Sequence, residues 1–184
     1  MAARKGERVH AVSELHLLRH AKAAPQEDGG DRERSLDPSG RRAAQALAAW
    51  AAGRRLAPEL VLCSPALRTR QTLDIVAPAL VRSPHILIED SLYLANARQL
   101  LARLRKVAAG VASVIVVGHN PGLHELATIL SDVSDGALPA RLAAGFPAGA
   151  LASFEVPVAW PALDRRRARL AGIVTPKELI RGIE

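Results

Sequence analysis

Three short stretches of the sequence combine histidine or arginine with residues that suit a strand-to-helix turn. They read Arg-His-Ala at 19–21, Cys-Ser-Pro-Ala-Leu-Arg at 63–68 and Gly-His-Asn-Pro-Gly at 118–122. Arginine presents a planar fork of permanently charged donors that matches phosphoryl oxygens, and a neutral imidazole is a competent nucleophile near pH 7. Because phosphoryl transfer needs mainly positioning and electrostatic stabilisation, these residue types predict that chemistry without a metal.

Each of these stretches follows a predicted β-strand. The strands are predicted at Glu14–Leu18, Leu60–Cys63 and Ser113–Gly118. In open α/β sheets the ligand site lies beyond the carboxyl ends of the strands, where helix N-termini also point. We therefore expect Arg19, His20, Arg68 and His119 to meet at one edge of the sheet.

The alternation of strand and helix patterns predicts an α/β fold, a three-layer α/β/α sandwich around a mostly parallel central sheet. Helices are predicted to begin at Asp37-Pro38, Ser64-Pro65 and Asn120-Pro121, where a capping side chain precedes a proline. The remaining elements are the strands His85–Ile88, Ala150–Val156 and Ala168–Val174 and the helix Ala97–Val107. The polar residues 21–36 predict a surface loop. We expect residues 1–12 to form a flexible tail and residues 13–184 a single domain.

The composition favours an anionic partner over a nucleic-acid or membrane partner. The 184 residues carry a net charge of +7, which attracts anions. However, the basic residues are scattered and lack the interleaved aromatic residues of a single-strand binding platform. Apolar runs are too short to cross a bilayer, and the N-terminal stretch has no apolar signal core. With one cysteine, no intramolecular disulfide can form. This fits a reducing compartment, so we expect a cytoplasmic protein. A monomer is the default expectation for its oligomeric state.

Metal and cysteine chemistry are both disfavoured by the spacing of their candidate residues. His119 and His124 do not have the i, i+4 spacing of a helical zinc pair, so no metal and no cofactor are predicted. Cys63 precedes Arg68 by four intervening residues, where the phosphate loop of cysteine phosphatases has five. Cys63 is therefore expected to close a buried strand.

The same stretches resemble the motifs of a known family. Leu-Leu-Arg-His-Ala at 17–21 resembles the Arg-His-Gly signature of the histidine phosphatase superfamily, with alanine where glycine is usual. The segments 34–41, 64–72 and 117–122 are similar to three further family motifs, in the family's order. The short chain and the His-Asn-Pro-Gly sequence resemble the SixA-type phosphohistidine phosphatase branch. This resemblance implies a phosphoglycerate mutase-like fold.

The resemblance also implies a two-step, metal-independent phosphatase mechanism. His20 would attack phosphorus and become phosphohistidine, while Arg19, Arg68 and His119 hold the phosphoryl oxygens. Water would then hydrolyse the intermediate. Two further residues, Ser64 and Asn120, are expected to contact the substrate.

The usual proton donor to the leaving group is missing from the motifs. Family members that carry an acid directly after the second histidine have aspartate there, whereas this chain has Asn120. The remaining candidates are Glu89 and Asp90. An imidazole leaving group needs less protonation than an alkoxide. We therefore expect a phosphoramidate as the phosphorylated substrate, such as protein phosphohistidine. A small-molecule phosphomonoesterase and a non-catalytic phosphate-binding module remain alternatives.

Overall fold

The computed structural model describes residues 12–25, 29–131 and 137–181. The strands are β1 (Ser13–Arg19), β2 (Leu60–Cys63), β3 (His85–Ile88), β4 (Ser113–Gly118), β5 (Leu151–Val156) and β6 (Arg169–Val174). The helices are α1 (Pro38–Gly53), α2 (Leu67–Val76), α3 (Ala97–Leu104), α4 (Gly122–Leu130), α5 (Ala137–Ala143) and α6 (Pro176–Arg181). The predicted tail, residues 1–12, lies outside the described residues except for Val12, and the division into a tail and one domain stays a prediction.

The strands form one sheet in the order β3-β2-β4-β1-β5-β6. The first four strands in this order run parallel to one another. Strand β5 is antiparallel to both of its neighbours, β1 and β6. The predicted mostly parallel sheet is thus confirmed, and β5 and β6 each begin one residue later than predicted.

Alternate residues of each central strand pack against helices on opposite faces of the sheet. On one face, Leu17 and Val116 belong to a core cluster that includes residues of α3 and α4. On the other face, Leu18 and Val117 pack with residues of α1, α2 and α6. All six residues of β4 are buried, as expected for a strand covered on both faces. The three-layer α/β/α sandwich is confirmed.

Three predicted helix boundaries differ from those observed. Helix α4 begins at Gly122 with Pro121 as its N-cap residue, rather than at Asn120-Pro121, and the Asn120 side chain donates to the carbonyl of Phe146 instead of capping the helix. Helix α2 begins at Leu67 with Ala66 as its N-cap residue, rather than at Ser64-Pro65. The reason is tertiary: the Ser64 hydroxyl bonds to His119, so it does not cap the helix. Helix α3 ends at Leu104 instead of Val107.

The start of α1 agrees with the sequence prediction. The Asp37 carboxylate accepts a hydrogen bond from the Gly40 N–H, at 2.6 Å, and Pro38 occupies the first helical position.

Among the helices of the described residues, none has both the length and the apolar character that a membrane span requires.

Gly40 lets helix α1 approach the segment that follows β1. A Cβ atom at Gly40 would lie 2.0 Å from the carbonyl oxygen of Lys22, which is far inside van der Waals contact. That carbonyl accepts a hydrogen bond from the Asp37 N–H, at 3.0 Å. Because glycine has no side chain, α1 can pack this closely against the chain just after His20.

We expect Gly40→Ala to destabilise the protein, because the new methyl group must push the Lys22 backbone away. The free energy of unfolding should fall by about 1–3 kcal/mol, the usual cost of overpacking. Gly53→Ala, in the same helix, is the matched control because a Cβ there meets nothing within 4 Å. Urea titration of both variants checks this prediction. Equal stability of the two would contradict it.

Candidate active site

A pocket at the carboxyl ends of β1 and β4 contains the four residues that the sequence predicted to meet. Its volume is about 340 Å³. The lining residues are Arg19, His20, Lys22, Ala23, Asp31, Arg34, Arg68, Leu94, His119, Asn120 and Ala148. The expectation that the three stretches converge is met for Arg19, His20, Arg68 and His119.

His20 directly follows β1, and its backbone joins the ends of two neighbouring strands. The His20 N–H donates to the carbonyl of Gly118, at 3.1 Å. Its imidazole Nδ1 lies 2.7 Å from the carbonyl oxygen of Ala21. Since a carbonyl only accepts hydrogen bonds, the neutral ring carries its proton on Nδ1. The Nε2 lone pair therefore accepts a hydrogen bond from the Nε–H of Arg68, at 3.3 Å.

His119 follows β4 and lies beside His20, with 5.2 Å between the ring centroids. Its Nε2 is 2.7 Å from the hydroxyl of Ser64, and its Nδ1 is 3.4 Å from Arg68 Nη2. Ser64 is fully buried and is absent from the pocket lining. Ser64 was expected to contact the substrate, but the structure places it behind His119, where it orients the imidazole.

Both histidines are held in their neutral forms by their surroundings. The pKa of His20 is lowered to about 4, mainly by burial and also by the nearby charges of Arg68, Arg19 and Arg34, while the hydrogen bond to the Ala21 carbonyl acts in the opposite direction. Burial also lowers the pKa of His119 to about 3, with repulsion from His20 and Arg68 as the next causes. Near neutral pH both rings are therefore uncharged, although they lie in a basic pocket.

Asp31 is a residue of the pocket that sequence reasoning missed. Its carboxylate accepts hydrogen bonds from Tyr93 Oη at 2.7 Å, Arg68 Nη2 at 2.8 Å and Arg34 Nη1 at 2.9 Å. The Tyr93 hydrogen bond is the largest cause that holds the pKa of this carboxyl well below its usual range, followed by Arg34 and Arg68. Gly30, at φ +79°, lets the chain turn just before Asp31.

Arg19 and Asn120 reach the same backbone carbonyl from two strand ends. Arg19 Nη1 and Asn120 Nδ2 each donate to the oxygen of Phe146, at 2.9 Å. The Gly149 N–H in turn donates to the carbonyls of Arg19 and His20. The segment 146–149, before β5, is thus hydrogen-bonded to residues at or just after the ends of both β1 and β4. The sequence motifs did not indicate this contribution.

The two candidate proton donors are engaged elsewhere. Glu89 forms a salt bridge with Arg103, at 2.7 Å, and Asp90 pairs with Arg32. Neither carboxylate lines the pocket. The structure therefore does not bring either of these predicted candidates to the two histidines.

Other reactive residues have structural surroundings. Cys63 ends β2 with no exposed surface, and burial raises the pKa of its thiol to about 12. His124 Nε2 lies 2.7 Å from the carbonyl of Leu142, and its ring stacks on Phe146. In the ranges that the structure covers, no group of three or more His, Cys, Asp or Glu residues is arranged to hold a metal ion.

Comparisons with known proteins agree with this geometry. Residues 15–92 match the model of the histidine phosphatase superfamily (branch 1). An uncharacterized protein of Mycobacterium tuberculosis is 33% identical over 165 residues, which cover 87% of this chain and 100% of that protein.

Solved structures of related proteins match almost the whole chain. The structure of a protein from Nakamurella multipartitia, provisionally named phosphohistidine phosphatase SixA, has a TM-score of 0.80 and 32% identity and covers 90% of this chain and 97% of that one. A protein from Agrobacterium tumefaciens with the same provisional name has a TM-score of 0.74 and 33% identity, over 89% and 98% of the two chains. The chain therefore belongs to the SixA-type branch of the histidine phosphatase superfamily and is a phosphatase.

Proposed function

We propose that this phosphatase acts without a metal, through a phosphohistidine intermediate on His20, and that its substrate is protein phosphohistidine. The observation that carries the proposal is the hydrogen bond between His20 Nδ1 and the Ala21 carbonyl. That bond leaves the proton on Nδ1 and the Nε2 lone pair directed at the Nε–H of Arg68, from which it accepts a hydrogen bond at 3.3 Å. A phosphoryl group would be held beside this N–H, within reach of Nε2. The low pKa of His20 keeps this nucleophile unprotonated.

In the first step, His20 Nε2 attacks phosphorus and the bond to the leaving group breaks, its electron pair departing with the leaving atom. Arg19, Arg68 and His119 stabilise the charge on the equatorial oxygens. A phosphoryl oxygen between Arg68 Nη2 and His119 Nδ1, which lie 3.4 Å apart, would accept from both groups. The imidazole would then carry its proton on Nδ1, and the Ser64 hydroxyl would donate a hydrogen bond to His119 Nε2.

In the second step, water attacks the phosphorus atom of the intermediate. The P–N bond breaks, its electron pair returns to His20 Nε2, and inorganic phosphate is released. The same donors stabilise both transition states, because the transferring group has the same three equatorial oxygens in each step.

The proposed substrate class follows from the protonation state of Asp31. Among the described residues that line the pocket, Asp31 is the only carboxylate. Its hydrogen bonds to Tyr93, Arg34 and Arg68 keep it ionised, so it has no proton to give to a departing alkoxide. An imidazole departs with less help, and this difference favours a phosphoramidate over an alkyl phosphate.

The nucleophile is tested by His20→Ala, assayed in EDTA with p-nitrophenyl phosphate and with a histidine-phosphorylated protein. We expect wild-type activity in EDTA, a higher rate on the phosphoprotein, and a loss of about 10³-fold or more in kcat for the variant. His85→Ala, on the exposed strand β3, is the control and should retain activity. Equal rates for wild type and His20→Ala would contradict the role of His20 as the nucleophile.

The substrate class is tested by the same assays. A normal rate on simple alkyl phosphates, equal to the rate on phosphohistidine, would favour the phosphomonoesterase alternative. Phosphate binding without turnover of any of these substrates would favour the non-catalytic module.

The protonation state of His20 gives a separate prediction. Its imidazole signals in NMR should stay constant from about pH 8 to pH 5.5 and change only as the pH approaches 4, because burial disfavours the charged ring. Arg68→Gln should raise the pKa of His20 by removing a nearby positive charge. Arg70→Gln, on the exposed side of the same helix, is the matched control. A wild-type midpoint near 6.5 would contradict the prediction.

A further inference from the structure

The guanidinium of Arg68 has contacts on two sides. On the inner side, Nε faces His20 at 3.3 Å and Nη2 faces His119 at 3.4 Å. On the outer side, Nη1 donates to the main-chain carbonyl of Asp31, and Nη2 donates to its carboxylate at 2.8 Å. Because a guanidinium is planar with donors in fixed directions, fixing its outer edge also fixes the direction of the inner N–H groups.

Asp31 is itself held in place by two residues outside α2. Tyr93 donates its hydroxyl proton to Oδ2 of Asp31, at 2.7 Å, and Arg34 donates from Nη1 to Oδ1, at 2.9 Å. Arg34 is anchored in turn, because its Nε donates to the carbonyl of Ala24 at 2.9 Å. The ring of Tyr93 lies edge-on to His119, with 5.5 Å between centroids. The carboxylate is therefore a fixed point rather than a freely moving rim charge.

The sign of its charge makes the position of Asp31 informative. A carboxylate beside an oxyanion site weakens anion binding by Coulomb repulsion. If charge were its only effect, removing it would strengthen phosphate binding. If it aims the donors of Arg68, removing it should weaken binding instead.

We propose that Asp31 is a positioning residue, held by Tyr93 and Arg34, that orients the inner N–H groups of Arg68 toward the phosphoryl group. This proposal deepens the proposed function and rests on it for the identity of the bound group. Asp31 does not transfer a proton and acts only through Arg68.

The first test measures equilibrium binding of inorganic phosphate and of tungstate by calorimetry. We expect Asp31→Ala to weaken binding of both anions by about tenfold, because misplaced donors lose their contacts. Asp31→Asn keeps the size and one acceptor oxygen, so its affinity should lie between those of wild type and Asp31→Ala. Asp90→Ala is the matched control, since Asp90 is an exposed carboxylate that pairs with Arg32 outside the pocket.

The second test asks whether Tyr93 acts through Asp31. Tyr93→Phe removes the hydroxyl but keeps the ring beside His119, and we expect it to weaken anion binding by about threefold, the size of one lost hydrogen bond. In the Asp31→Ala background the same change should have no further effect. Independent, additive losses would contradict a chain from Tyr93 through Asp31 to Arg68.

Binding needs no turnover, so this result is separable from a failure of the proposed function. An inactive wild type that still binds phosphate, with weaker binding in Asp31→Ala, would refute the catalytic proposal and leave the positioning role intact. Tighter or unchanged binding in both Asp31 variants would overturn the positioning role. Circular dichroism and thermal unfolding check that Asp31→Ala is folded. If it is not, the affinity of Asp31→Asn for the two anions decides whether Asp31 has the positioning role.

Once the wild-type enzyme is shown to turn over substrate, the positioning role also predicts how kcat and KM change in the Asp31→Asn variant. Asp31→Asn should lower kcat more than it raises KM, because the oriented donors are needed most where charge develops in the transition state. A rise in KM alone would indicate a contact to the substrate rather than an effect on Arg68.

Discussion

The buried guanidinium of Arg68 is the interaction on which the rest of the site depends. Its side chain is 3% exposed, and a charge taken out of water is costly unless it is paired and hydrogen-bonded. Asp31 supplies the opposite charge and a main-chain acceptor, while each of the two histidines faces one further N–H. This arrangement leaves a permanently charged donor group between two neutral imidazoles, an environment suited to an incoming phosphoryl anion.

The sheet makes this arrangement possible by bringing distant parts of the chain together. The parallel pairing of β1 with β4 and of β4 with β2 aligns their carboxyl ends, so His20, His119 and the start of α2 share one edge. The close contact at Gly40 then holds the chain after His20 against α1. Because these contacts involve backbone, they fix the relative positions of the chain segments that form the pocket.

The low pKa values of the histidines and of Asp31 arise from the same packing. Burial and neighbouring guanidinium groups disfavour imidazolium, whereas hydrogen bonds from Tyr93, Arg34 and Arg68 favour the carboxylate. The pocket therefore contains an unprotonated imidazole at His20 and an ionised carboxylate at Asp31 at the same pH. This separation accounts for a site with strong oxyanion donors and no carboxylic acid among its described lining residues.

The sequence by itself determined the fold class, the order of the six strands and the first four helices along the chain, and the four central residues of the site; helices α5 and α6 were not predicted. Arg19, His20, Arg68 and His119 could be predicted because each lies at the end of a strand with a readable local pattern or within five residues after it, and strand ends converge in this architecture. The family resemblance rests on the same short motifs. The cap at Asp37 was predictable for a similar reason, since an N-cap bond joins residues only three positions apart.

Only the tertiary structure decided the surroundings of these residues. Asp31 lies in a polar loop without periodicity and meets Arg68, 37 positions along the chain, only after folding. Ser64 resembles a helix cap in sequence, but its hydroxyl bonds to His119, 55 positions away. Local patterns report backbone preference and burial, whereas the partner of a side chain depends on which distant elements pack together. For that reason the chemistry at the centre of the site was readable from the sequence, and the residues that orient it were not.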